Sequence, residues 1–209
     1  MKRKTIEVTL TMEKYVAHPY WPEREFVIRM QKDSGMNRQK SEEKRQAALK
    51  AQVEKSGFTL DDYRAAEAKA RREWYRAGDK DDGNIIIPRH QLAGALVETV
   101  GRVPKALRGK FDKDSFRHFV QIGDFTTGKK QADGVYSRYV KLETSNMRSH
   151  QTNEYLEDFA ATGEVSIPDD VKSEDVQRLF AHAIGTIGVG ACRKMGFGRG
   201  EILAWEEVE

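Results

Sequence analysis

The chain has 209 residues and a mass of 23.9 kDa, a length that suits one domain with an insertion or two very small ones. It holds 36 Lys and Arg against 33 Asp and Glu, a net charge of +3, which excludes a histone-like chain but not a local nucleic-acid surface. The lone cysteine, Cys192, excludes an internal disulfide framework and a cysteine-rich zinc site, and fits a reducing compartment.

The basic start Met-Lys-Arg-Lys leads into strand-like alternation rather than an apolar core, so no signal peptide is expected. No apolar run approaches the roughly 18 residues of a membrane span. A cytoplasmic protein with no membrane partner is the expectation.

Ile6, Val8, Leu10 and Met12 alternate with Thr5, Glu7, Thr9 and Thr11, the pattern of a half-buried strand. His18-Pro19-Tyr20-Trp21-Pro22 reads as a turn. Renewed alternation at Phe26, Ile28 and Met30 predicts a second strand beside the first. From about Asn37 to Gly78 the composition changes. Ser41 and the Thr59-Leu60-Asp61-Asp62 box predict the starts of two helices, with Gly57 between them. Arg38 to Arg76 carries 11 Lys and Arg and 7 Asp and Glu on a thin apolar face, so this hairpin reads as an insertion over 37–78 into a core made of 1–36 and 79–209. A solvated arm and a nucleic-acid-binding arm both fit it.

Ile85 to Ile87 predicts a short buried strand. Pro88 opens a helix with Leu92, Leu96 and Val100 on one stripe, in which Gly94 is expected to mark close packing. Strands are predicted over about 116–122, 135–144 and 163–167. A helix follows, capped by Ser173 and carrying Val176, Leu179, Phe180, Ala183, Ile184 and Ile187 at helical spacing. Ile202 to Val208 supplies the last strand. Without the insertion the order is β-α-β-β-α-β, the ferredoxin-like (RNA-recognition-motif-like) arrangement of the α+β class. Its two helices cover one face of an antiparallel sheet and leave the other for a ligand, a partner or an arm of the same chain.

Two features carry chemistry. Gly188 to Gly200 has five glycines in thirteen residues, with Arg193, Lys194 and Arg199 among them. Glycine admits positive φ and close backbone approach, and cations beside such a backbone suit phosphate. A Rossmann loop is a poor match, since this loop closes a helix and opens a strand. A turn that only packs helix against strand is the alternative. The second feature is charge separation: +6 from Arg102 to Arg148 and −6 from Ser149 to Ile187. The basic stretch holds Lys129, Lys130, Arg138, Lys141 and Arg148 with Phe125, Tyr136 and Tyr139 interleaved, a composition that suits single-stranded nucleic acid; a solvated sheet face is the bland alternative. His18 is the one histidine whose setting allows a general base for RNA cleavage. Asp79, Asp81 and Asp82 lack the order of a calcium loop, and Cys192 has no partner base. No catalytic residue, metal or cofactor is assigned.

The loop spells Gly-hydrophobic-Gly, five residues with Arg193 and Lys194, then Gly-hydrophobic-Gly, from Gly188 through Gly190, Gly196 and Gly198. It resembles the carboxy-terminal glycine-rich loop of the RAMP superfamily of CRISPR-associated proteins. Ile86-Ile87-Pro88-Arg89-His90-Gln91-Leu92-Ala93-Gly94-Ala95-Leu96 is similar to the Ile-Pro helix opening of backbone-type RAMPs, with Ala93 where a basic residue is common and His90-Gln91 in place of serines. The resemblance covers roughly 4–31 and 84–207. It implies a CRISPR RNA-binding backbone subunit of a multisubunit antiviral effector, with the insertion as a thumb-like subdomain. The implied partners are CRISPR RNA, target nucleic acid through guide pairing, other CRISPR-associated subunits and copies of itself. The implied RNA-binding residues are Lys129, Lys130, Tyr136, Arg138, Lys141, Arg148 and the loop's Gly188, Gly190, Arg193, Lys194, Gly196, Gly198 and Arg199. The 5′-handle capping subunit and the repeat-RNA endonuclease, for which His18 is the only matching histidine, are the alternatives within the family. Outside it stands a ferredoxin-like protein-interaction module that binds no RNA.

Overall fold

A computed structural model describes residues 2–17, 19–80, 82–109, 111–141 and 148–208. The chain divides into two compact units, one of residues 1–18 and 74–209 and the other of 19–73.

The smaller unit has three α-helices, α1 (Pro22–Ser34), α2 (Glu42–Lys55) and α3 (Leu60–Ala70), and a 3-10 turn at Met36–Arg38. The second and third are the predicted hairpin, and their caps form as read. Ser41 accepts the Lys44 amide, and Thr59 and Asp62 make a reciprocal capping box. The first corrects the strand expected at Phe26 to Met30. Pro22 at the first turn, Glu23 and Glu25 at the positive end of the helix dipole and Gly35 in the left-handed conformation at the C-terminus are helix signals. They outweigh a three-residue alternation. A returning strand also has no place to pair, because β1 (Arg3–Tyr15) is hydrogen-bonded on both sides. Val27 and Met30 of α1 pack with Leu49, Val53 and Tyr63 in a small separate core. By compactness the helical unit runs from Pro19 to Glu73, and it includes α1 as well as the hairpin.

In the larger unit β1 is joined by β2 (Ile86–Ile87), β3 (Gln121–Ile122), β4 (Phe125–Thr126), β5 (Gly134–Lys141), β6 (Arg148–Pro168) and β7 (Gly200–Val208). The strand order is β2-β4-β6-β1-β7, with β3 and β5 each pairing β6. Every named pairing is antiparallel. The long β6 serves twice. Its second half lies beside β1, and its first half forms a two-stranded ribbon with β5. The helices are α4 (Arg89–Arg102), α5 (Lys105–Arg108), α6 (Lys113–Phe119) and α7 (Ser173–His182). The protein is of the α+β class.

The alternation in β1 sends Ile6, Val8, Leu10 and Met12 into the core with Leu92, Leu96 and Val100 of α4 and Val176, Leu179 and Phe180 of α7. Three expectations change. The strand expected over 116–122 is α6 followed by the short β3, because Phe116 and Val120, four residues apart, both bury. Ser173 is the first residue of α7, and its hydroxyl accepts the Trp205 indole N–H at 2.7 Å instead of capping the helix. At Gly94 an added Cβ would meet nothing within 4 Å, so this glycine does not mark close packing. Asp124, from the turn between β3 and β4, accepts the Arg89 amide at 2.7 Å and so supplies the acid at the start of α4 that Pro88 does not.

Candidate nucleic-acid interface

The glycine loop starts where α7 loosens into a wide π turn, Ala183–Ile187, and the Gly188 amide reaches back to the Ala183 carbonyl at 2.8 Å. Such turns recur at functional sites. Gly188, Gly190, Gly196 and Gly198 all have positive φ, from 73° to 88°. At three of them space is also exhausted. A Cβ at Gly190 would run into the Val16 carbonyl and the Tyr15 ring, at Gly198 into the Val189 carbonyl, and at Gly188 into the Phe197 carbonyl at 2.9 Å. Gly196 has open space around it. The close approach expected toward a ligand is thus, at these three, an approach to protein backbone. Ala191 donates to the Val16 carbonyl at 2.8 Å and Gly198 to the Lys14 carbonyl at 2.6 Å, which ties the loop to the end of β1.

Arg193 turns from the loop to α4, where its guanidinium meets Glu98 at 2.7 Å. This neighbour holds the Glu98 carboxyl below its ordinary range. Between loop and helix lies a groove of about 490 Å³, lined in part by Gln91, Gly94, Glu98, Gly188, Gly190 and Arg193. Its walls are the two segments that carry the sequence motifs, the Ile-Pro helix opening and the glycine loop. Gly94 leaves the α4 wall bare. Gln91 sets the floor, since its amide accepts the buried Tyr15 hydroxyl at 2.7 Å and donates to the Ala17 carbonyl at 2.9 Å. Lys194 is exposed. Arg199 lines a different groove with Glu13, Arg178 and Glu201, so the structure does not bring the three loop cations together.

The β5–β6 ribbon packs on the loop through Tyr136, whose ring lies 5.2 Å from Phe197 and whose hydroxyl is 3.6 Å from the Met195 sulfur. Lys14 sits over the Tyr155 ring at 4.2 Å and pairs with Glu157 at 2.9 Å. Tyr139, on the opposite face of the ribbon from Tyr136, is 73% exposed. The backbone sets Arg138 opposite Gln151 and Lys141 opposite Arg148; the side chains of Arg138, Lys141 and Arg148 lie outside the described residues. Lys129 is occupied, bonding Asp133 at 2.6 Å and the Glu157 carbonyl at 2.8 Å. Lys130 is exposed, while its carbonyl accepts Arg76 at 2.9 Å. His18 and Asp81 lie outside the described residues.

The sheet face turned away from α4 and α7 is acidic. Glu7 lies directly opposite Glu164 on one side and Glu206 on the other, and all three are exposed. Like charges placed so are mutually destabilising, and they repel a phosphate backbone. Among the described residues no group of three or more His, Cys, Asp or Glu is placed to hold a metal, and no helix is long and apolar enough to cross a membrane.

No protein-family model matches the chain, and no curated protein does. Among solved structures it aligns with type III-B Cmr-beta bound to cognate target RNA, at a TM-score of 0.46 and 12% identity, over 100% of this chain and 61% of that one. It also aligns with Cmr6 from Pyrococcus furiosus, at a TM-score of 0.37 and 12% identity, over 97% of this chain and 99% of that one.

Sequence reasoning missed Glu98, Gln91 and Lys14. Glu98 and Gln91 belong to α4, where Gln91 reads only as a departure from a motif and Glu98 carries no motif at all. Seven residues separate Gln91 from Glu98 on one helix, and two turns of helix put them on a common face. That spacing was the available signal.

Proposed function

We propose that this chain is an RNA-binding subunit of a multisubunit CRISPR effector, of the backbone kind that holds the guide RNA, built on a ferredoxin-like core. The observation that carries the reading is the meeting of the two family-like motifs. They are distant in sequence, yet they form the two walls of one groove, with Arg193 at its edge. The aromatic and basic β5–β6 ribbon next to the loop extends the surface with the residue types that suit single strands. The helical unit at 19–73 is the inserted subdomain of this reading. Partners would be the guide RNA, target nucleic acid paired to it, neighbouring subunits and further copies of the chain.

The test is to purify the protein and look for bound RNA. The expected result is an absorbance excess at 260 nm and a band of discrete length on a denaturing gel. Protein free of nucleic acid that also fails to bind added single-stranded RNA would remove the reading. The acidic row of Glu164, Glu7 and Glu206 favours a second reading, a protein-interaction module that uses the open sheet face. It predicts that any RNA affinity is absent or insensitive to salt.

A further inference from the structure

Two arginines from different parts of the fold converge on one carboxylate. Arg102, in the last turn of α4, places Nη2 at 2.6 Å from Glu98 Oε1, and Arg193, from the glycine loop, places Nη1 at 2.7 Å from Glu98 Oε2. Each oxygen takes one guanidinium. The side chains are 66% exposed for Arg102, 38% for Arg193 and 28% for Glu98, so this is not a buried structural pair. A strut between loop and helix would need a single cation, and the second leaves a local excess of positive charge. A carboxylate and a phosphodiester share a single negative charge and two acceptor oxygens, the pattern that guanidinium forks recognise. Arginine has five N–H donors, so neither side chain is saturated by one contact. The groove beside the pair is open, and Gly94, one turn before Glu98, leaves room along its wall.

We propose that Arg102 and Arg193 are the two arms of a site for one phosphodiester, and that Glu98 is the internal anion that holds the arms in place until the phosphodiester displaces it. The inference rests on the RNA-binding reading and adds to it a binding residue, Arg102, and a competing residue, Glu98. Glu98 is ionised at neutral pH because Arg193 and Arg102 both favour its charged form. Its charge therefore opposes an incoming phosphate, and affinity is set by the exchange of one anion for another.

The experiment is a salt titration of binding to a labelled single-stranded RNA of mixed sequence, read by fluorescence anisotropy, with thermal melts on the same proteins. Glu98→Gln keeps the shape and one acceptor while removing the charge, and should bind RNA roughly two- to fivefold more tightly, the range of one screened surface charge pair. Arg102→Ala should weaken binding and flatten the slope of log affinity against log salt by about 0.7, one phosphate contact on a single strand. Glu98→Gln that binds no better than the wild type, at an unchanged melt, overturns the competing role. Arg102→Ala with the wild-type slope overturns the two-armed site, and because its side chain is exposed it decides alone if Glu98→Gln melts early. If the wild type binds RNA and Arg193→Ala weakens it while Arg102→Ala does not, only this inference falls. If the wild type binds no RNA, the underlying reading falls instead.

Discussion

Gly198 donates its amide to the Lys14 carbonyl at 2.6 Å, and no side chain fits at Gly198 because its Cβ would occupy the position of the Val189 carbonyl. This contact joins the last turn of the glycine loop to the end of the first strand. It gives the glycine a structural duty separate from any ligand.

Gly198→Ala should therefore melt well below Gly196→Ala. Both put a side chain at positive φ, 73° and 88°, a conformational cost of about 1–2 kcal/mol. Only at Gly198 does the methyl also collide with backbone. Parallel thermal melts check this, and equal losses would show that the loop shifts to make room. Gly190→Val should behave like the Gly198 variant, since Val16 and Tyr15 already fill its space.

Lys129→Ala and Lys130→Ala should differ in kind. Lys129 ties Asp133 to the Glu157 carbonyl, so its loss should lower the urea midpoint. Lys130 is exposed, so Lys130→Ala should leave the midpoint unchanged and flatten the RNA salt slope by about 0.7. A Lys130→Ala protein with an unaltered slope would take that lysine off the interface.

The Lys129 ammonium and the Glu157 amide hold the Asp133 carboxyl below its ordinary value. Its folded pKa is depressed, so its contribution to stability is present above the ordinary carboxylate pKa. That contribution disappears as the pH falls through the lowered one. Asp133→Asn should lose stability at neutral pH and less at about pH 3, where the wild-type carboxyl is largely protonated in the unfolded chain. Urea titrations at the two pH values measure the difference; an equal loss at both would mean that the pair contributes by shape alone.

Tyr136→Phe should retain RNA binding and Tyr136→Ala should lose much of it. The ring contact with Phe197 survives in the phenylalanine variant, and such pairs are worth about 0.5–1.5 kcal/mol beyond their area. The weak hydroxyl–sulfur contact is all that the phenylalanine variant gives up. Anisotropy titrations of both variants would show equal losses if the hydroxyl itself contacts RNA.

Thr59→Ala should destabilise the helical unit by about 1 kcal/mol, because both halves of the capping box are formed. Hydrogen exchange over 60–70 should speed up relative to the wild type, with no change in the strands of the larger unit.

Local chemistry was legible wherever a pattern had enough length. The four alternating apolar residues of β1, the helical stripe of α7 and the caps at Ser41 and Thr59 all form as the chain spells them, because each depends on residues within a few positions of one another. The α+β class followed from their order. Short patterns failed. Phe26, Ile28 and Met30 alternate over too few residues to outweigh a proline and two acids at a helix start, and Phe116 and Val120 fit a helix face as well as a strand.

Tertiary structure alone decided how the candidate site is divided. The glycine-rich loop reads as a phosphate cradle, but three of its glycines are required by backbone of the same protein at Val16, Val189 and Phe197. Its cations part company, Arg193 toward Glu98 and Arg199 toward another groove. Lys129 is drawn into the fold by Asp133, and Glu7 gains its two acidic neighbours only when β6 and β7 pair with β1. Composition reports how much charge a chain carries. Which charges face each other depends on strand register and on where a helix meets a loop, and those are set by burial of the core across the whole unit.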